Sequence, residues 1–440
     1  MRPQTAAMLL VASAVLAAVP DDVTEFDLEN GIHVITRTIP GEEVEGLSLF
    51  LTGGVRVADS DTQGLEAFSL ECAMMGSTGF PGHMWRELMD ETMAEWTGSY
   101  SYDYSRYHLR CLQEDLAVLC LRFADGLLHP QLDPSAVEQV REGMISAALQ
   151  DMDDPDEQVW LVANRAFMGD HPYRLRPEGT VETLATFTEE DVRRCLGERM
   201  MSGNLLITHA GPTPPGELRT MLEESFGAVP VGATVPDPVP PFGPRSDSLA
   251  LEHDGVLTAF AVVKFPAPPP GDPDLVPFMT GMHVIDEILW QVLRTEHGLT
   301  YATFGGAAVY RRSWGYMYVS SPDPLAACSL MAGVMRDAIS GPFDGELLEG
   351  VVELQRTYDA MDGERMSSQC RILGSGWIDE GDWRAWYRYA DQASEVTPED
   401  VRRALDTWVT RAGWGIIADS SEVPFGEFRP WSLRPGGGPR

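Results

Sequence analysis

Two hydrophobic periods run along the chain. Apolar and polar residues alternate every second position in "FDLENGIHVITRTI", residues 26–39. This predicts a β-hairpin with Asn30-Gly31 at its turn. "LTAFAVVKF", residues 257–265, reads as a strand, as do "GNLLITHAG" from Gly203 and "GWGIIAD" from Gly413. A period near 3.6 predicts helices over 116–128, 135–151 and 279–295. Strands and helices mix without strict β-α-β alternation, which points to an α+β class.

The pattern repeats. "TEEDVRRCL" at 188–196 and "TPEDVRRAL" at 397–405 agree at seven of nine positions, 209 residues apart. Each opens with Thr as N-cap and places Asp at the third helical position, near the form of a capping box. Each is followed by an apolar strand, so a duplication is expected. Residues 227–248, "GAVPVGATVPDPVPPFGPRSDS", hold six prolines and read as a linker. The expected organisation is a first α+β domain over 21–226, the linker, a second over 249–430, and a flexible tail over 431–440.

Composition narrows the function classes. Of 440 residues, 67 are acidic and 32 basic, a net charge of −35. Such a field repels nucleic acid and anionic membranes and tolerates or attracts basic peptides. One Arg followed by the apolar run Ala6–Val19 fits a secretory signal peptide over 1–20, cut near Ala18. An exported, periplasmic or extracellular protein without membrane insertion after cleavage is therefore expected. The six cysteines are scattered, with no C-x-x-C pair, which argues against a zinc ribbon and leaves pairing open.

Five segments, in order, carry a resemblance: "GLEAFSLECAMMGST" from Gly64, "LLHPQLDPSAVEQVREGMISAALQDMDDPDEQVW" from Leu127, "AFMGDHPYRLRPEGTVETLATFTEEDV" from Ala166, "LRTEHGLTYATFGG" from Leu293, and "GYMYVSSPDP" from Gly315. Over almost the whole mature chain the sequence resembles the pitrilysin/insulinase-like zinc metallopeptidases, which include the mitochondrial processing peptidase subunits. The resemblance implies two homologous α/β-sandwich domains in a duplicated clam-shell arrangement around an extended peptide. It also implies that a cleft-edge strand near Tyr100 can add a bound peptide as an extra strand.

The chemistry of that family rests on H-x-x-E-H, two zinc-binding histidines one helical turn apart with a general-base Glu between them. Here the motif falls on Phe68, Ser69, Leu70, Glu71 and Cys72, or one residue earlier, from Ala67. Neither register contains a histidine. The third ligand position falls on or beside Ala147, in a run of Ser146, Ala147 and Ala148. His83 lies eleven residues beyond Cys72 and past a Gly-Pro-Gly turn, so it does not replace a ligand. Too few donors remain for zinc, and no cofactor is expected in this chain.

Arg294 and Tyr301 stand seven apart in "RTEHGLTY". In catalytic relatives, by resemblance, a basic residue and a Tyr at this spacing reach the scissile carbonyl or its oxyanion. The alternative is that Arg294 serves a helix end and Tyr301 packs in the core. The glycine-rich loop often found before this helix is replaced by "MTGMHVIDEILWQVLR". The aromatics from Tyr100 onward read as one strand with an apolar face, "DMDDPDEQVW" as a solvated helix boundary, and His171 as a structural loop residue. Two functions fit. One is a zinc-less subunit of a heterodimeric metallopeptidase, giving Arg294 and Tyr301 in trans to an H-x-x-E-H partner that holds the zinc. The other is a stand-alone peptide-binding or scaffold pseudo-peptidase.

Overall fold

The computed structural model describes residues 19–232, 235, 239–243, 245–342 and 344–436. The expected signal-peptide run, residues 1–18, lies outside the described residues. No described helix is long and apolar enough to cross a membrane.

Among the described residues, eleven strands form two sheets: β1 Val23–Asp27, β2 His33–Thr38, β3 Val44–Thr52, β4 Glu95–Tyr100, β5 Tyr104–Leu112, β6 Leu205–Gly211, β7 Ser248–His253, β8 Ala259–Pro266, β9 Ala302–Ala308, β10 Trp314–Ser321 and β11 Gly413–Ala418. The first sheet has the order β1-β2-β6-β3-β5-β4 and the second β7-β11-β8-β10-β9. Without β1, the two orders correspond strand for strand. The parallel pair β2/β6 matches the parallel pair β7/β11, and the other pairs in both sheets are antiparallel. Duplication is thus visible in topology. β4 and β9 are equivalent, and each is a sheet edge.

The capped helices behave alike. Thr188 and Thr397 each form a full capping box, with Asp191 and Asp400 returning bonds to the cap backbone. Each helix delivers the chain into a buried central strand, β6 or β11. The hairpin forms at its expected place, with Gly31 at φ 88° and the Asn30 side chain donating to the carbonyl of Phe226 at 2.8 Å. The stretch from Tyr100, expected as one strand, is instead split: β4 ends at Tyr100, a turn holds Tyr102 and Asp103, and β5 turns Tyr107, Leu109 and Cys111 into the core.

Each half covers one face of its sheet with its own helices and the other with a helix from the opposite half. The helix Pro155–Met168 lays Val159, Val162 and Ala163 on Val262, Tyr318 and Ile417 of the second sheet. Its approach is close enough that a Cβ on Gly415 would overlap the backbone of Ala163. Reciprocally, Met366–Glu380 places Leu373 and Ile378, with Trp383 beyond it, on Ile35, Phe50 and Leu206 of the first sheet. Polar ties follow the same seam. Arg37 and Tyr387 both donate to Gln369 Oε1, at 2.8 and 3.1 Å, and Trp383 Nε1 donates to Glu25 at 2.7 Å.

Two sequence expectations are corrected here. β7 begins at the last residue of the Pro-rich stretch, and Val239 and Phe242 of that stretch pack against Phe167, Tyr173 and Trp314, so these residues are not a free linker. The tail is not free over its first residues. Trp414 Nε1 donates to the Trp431 carbonyl at 2.9 Å, Leu433 is buried, and Arg434 donates to Asp406 at 2.7 Å.

Candidate functional site

The peptidase-like helix is Leu65–Ala73, entered through Gly64 at φ 87°. Gly64 lies so close to Gly179 that a Cβ on it would overlap the Gly179 backbone, which fixes where the helix starts. Phe68 and Cys72, at the two histidine positions, are both in the first hydrophobic core. Phe68 meets the Phe187 ring at 5.7 Å between centroids. The Arg141 guanidinium lies 5.1 Å from the Phe68 ring centre and donates to the carbonyl of Phe187 at 2.7 Å. Burial pushes the Cys72 thiol up to about 12, so in the metal-free fold it stays protonated.

Glu71 is already engaged. The Tyr100 hydroxyl donates to its Oε1 at 2.5 Å, and the Tyr100 and Tyr107 hydroxyls are 2.8 Å apart. Ala147 is exposed and has no donor; Ala148 beside it is the buried residue of that turn. His83 is exposed on the separate helix Gly82–Thr92. Among the described residues no group of three or more His, Cys, Asp or Glu could hold a metal ion. The zinc of the resembled peptidases does not fit these residues: two ligand positions carry a phenyl ring and a neutral thiol, the third a methyl group, and a cationic guanidinium stacks beside them. No step of chemistry is therefore assigned to zinc in this chain.

Arg294 and Tyr301 sit in the second half, in the equivalent of that helix and the loop after it. Leu275–Leu289 continues into the π-helical turn Trp290–Glu296. Leu289 and Leu293 anchor it in the core while Arg294 faces outward. The guanidinium stacks 4.2 Å from the Trp290 ring centre and donates to the Tyr301 backbone carbonyl at 3.1 Å. Tyr301 is 90% exposed, which overturns the alternative that it packs in the core. Strand β9 runs on from Tyr301 and its hairpin meets the first sheet at the Tyr310–Tyr102 contact. Seven residues of strand, about 20 Å, separate Tyr301 from that contact. The structure brings Arg294 and Tyr301 to each other and leaves Glu71 with Tyr100 on the other sheet.

His171 is structural, as expected. Nδ1 accepts from the Tyr173 amide at 3.1 Å and Nε2 meets the Pro240 carbonyl at 2.9 Å. Burial holds its pKa down to about 4, so it is a neutral ring with the proton on Nε2. In the acidic stretch, Asp154 caps the next helix by accepting from Asp156 N at 2.9 Å, and Asp151 pairs with Arg176. All six cysteines are free, five of them buried.

Sequence reasoning missed a cavity of about 520 Å³ between the halves. It is bounded by the helix Pro155–Met168 and by β8, β9 and β10. The amine of Lys264 lines it.

The two-sheet, helix-exchanged architecture is shared. A protease structure from Helicobacter pylori has a TM-score of 0.81 at 15% identity, covering 90% of this chain and 99% of its own. A structure described as peptidase M16 inactive domain, from Pseudomonas fluorescens, has a TM-score of 0.82 at 14% identity over 90% of this chain and 98% of its own. Residues 186–354 match the family model "Peptidase M16 inactive domain". An uncharacterized zinc protease of Rickettsia felis is 21% identical over 205 residues, 47% of this chain and 50% of that protein. Mitochondrial-processing peptidase subunit beta of Saccharomyces cerevisiae is 24% identical over 219 residues, 50% of this chain and 46% of its own. The chain thus spans about half the length of the curated relatives it matches. These likenesses support a pitrilysin-like family member.

Proposed function

We propose that the chain is a zinc-less subunit of an exported, heterodimeric metallopeptidase. It binds peptide and supplies Arg294 and Tyr301 to the zinc site of an H-x-x-E-H partner. The observation that carries this reading is a contrast. Both histidine positions are sealed into the core as Phe68 and Cys72, while Arg294 and Tyr301 stand together on the surface. A fixed guanidinium and a phenol are the donor types that stabilise a tetrahedral oxyanion. Exposed in this chain and carried by the other half from Glu71, they suit a site completed by another chain. The relative named as a subunit of a processing peptidase supports an assembly.

The edges fit peptide handling. β4 is a terminal strand of its sheet, so one side of its backbone is open to pair with an added strand. The net charge of −35 favours basic peptides. The test is cleavage of a quenched peptide by the mature chain, alone and mixed with an H-x-x-E-H homologue, with and without a zinc chelator. Chelator-sensitive cleavage by the pure chain refutes the reading, as does a mixture no more active than the homologue alone.

A further inference from the structure

Lys264 is the only lysine among 440 residues; the other 31 of the 32 basic residues are arginines. It sits in the central strand β8, and its surface is 2% exposed. Its Nζ donates to Asn164 Oδ1 at 2.5 Å. The rings of Trp160 and Trp314 lie 5.3 and 5.1 Å from the same atom. Among the described residues no carboxylate stands within ion-pair distance of it. A buried cation without a counter-ion is costly. Burial alone holds this amine's pKa down to about 7.

The cavity it lines is graded. The floor is the amine of Lys264. The walls are aromatic, with Trp160 stacked on Phe304 at 6.0 Å and set edge-on to Tyr316 at 5.3 Å. Towards the outside stand the exposed carboxylates Glu157 and Glu178, and Asp151 paired with Arg176. At about 520 Å³ the space is of ligand size and holds a dipeptide. Two ends of opposite charge with an apolar middle select a zwitterion that enters carboxylate first. An anion at the floor supplies the counter-ion that the fold withholds.

We propose that this inter-half cavity binds a short peptide by its C-terminal carboxylate, with the Lys264 ammonium as anchor, aromatic walls for the side chain, and Glu157 and Glu178 for the N-terminal ammonium. The site is separate from Arg294 and Tyr301 and does not depend on the partner-subunit reading. Arginine would not serve equally at this position: its larger planar fork needs several acceptors, and Asn164 offers one oxygen.

The test uses the mature full chain and the dipeptide alanyl-phenylalanine, with its C-terminal amide and its N-acetyl form as controls. Titration calorimetry and tryptophan fluorescence read binding, the latter because Trp160 and Trp314 flank the amine. The free dipeptide is expected to bind at least tenfold more tightly than the amide, and Lys264→Met to weaken it at least tenfold. Met fills the same space without an amine, so this variant is expected to melt no lower than the parent. The N-acetyl form is expected to bind more weakly than the dipeptide in the parent chain, and equally to it in Glu157→Gln/Glu178→Gln. Bound dipeptide is also expected to slow reductive methylation of Lys264, read by peptide mapping as the only lysine. Equal binding of acid and amide, unchanged affinity in Lys264→Met, or no binding at millimolar dipeptide overturns the proposal.

Discussion

Glu71 accepts a 2.5 Å hydrogen bond from the hydroxyl of Tyr100. The residue at the general-base position of a peptidase helix is thus a fixed acceptor in a cross-strand network with Tyr107. Its partners keep their protons: burial, the neighbouring tyrosine and Glu71 itself raise the Tyr100 hydroxyl well above its ordinary range. Glu71→Gln keeps an acceptor and loses the charge. The expected result is about 1 kcal/mol of lost stability, from the difference between charged and neutral hydrogen bonds. Peptide cleavage by the mixed complex is expected to be unchanged. Urea melts and the quenched-peptide assay measure the two.

Metal should leave the fold indifferent. The three ligand positions hold Phe68, the neutral thiol of Cys72 and the methyl of Ala147. Ligand binding stabilises only a state that binds. Added zinc, or a chelator on the purified chain, is expected to move Tm by less than about 1 °C, whereas binding at a hundredfold excess over Kd would add about 2.7 kcal/mol. Calorimetric scans check this.

The helix exchange makes the halves one cooperative body. Gly415 allows Pro155–Met168 to reach β11, and a methyl there meets the Ala163 backbone. Gly415→Ala is expected to cost about 1–3 kcal/mol through overpacking. Because each sheet is completed by the other half, unfolding by urea is expected to show one transition. Tryptophan fluorescence and far-ultraviolet dichroism, recorded on the same samples, should coincide.

Much of this fold was legible in the chain because the signals were local. The two Thr-capped helices, the Asn30-Gly31 hairpin and the apolar strands β6 and β11 depend on neighbours a few residues away. What was hidden depends on contacts beyond the local stretch of chain. β7 is partly exposed along its length and follows a Pro-rich run, so neither burial nor flanks marked it as a strand. Trp431 and Leu433 looked like a tail because Trp414, their partner, is distant in sequence. Lys264 read as one polar residue in an apolar strand. Only the approach of Pro155–Met168 to β8 turns it into the floor of a cavity. The one available signal was composition, since a single lysine among so many arginines is conspicuous.

Lys264 also predicts a pH dependence. An unfolded lysine keeps its proton to about 10.4, whereas here it is lost near 7. Between those values the unfolded chain binds more protons, so stability contributed by this group rises with pH, by up to about 1.4 kcal/mol per pH unit. Above about 8.5 the unfolded thiols ionise, while burial keeps Cys72 protonated to about 12, which acts in the opposite sense. The clean window is therefore pH 7 to 8.5. Urea melts across it should show rising stability in the parent chain and a flatter profile in Lys264→Met.

The central claim is the role of the surface pair in trans. Arg294→Ala and Tyr301→Phe remove one donor each from exposed positions, so the fold should be untouched. An oxyanion donor is commonly worth a factor of about 100–1000 in kcat. The most direct measurement is kcat for a quenched peptide with the H-x-x-E-H homologue mixed with the parent chain or with each variant, at equal complex formation. The account predicts a fall of at least tenfold for each variant, with KM little changed and activity lost to chelator throughout. Parent-like kcat in both variants would contradict it.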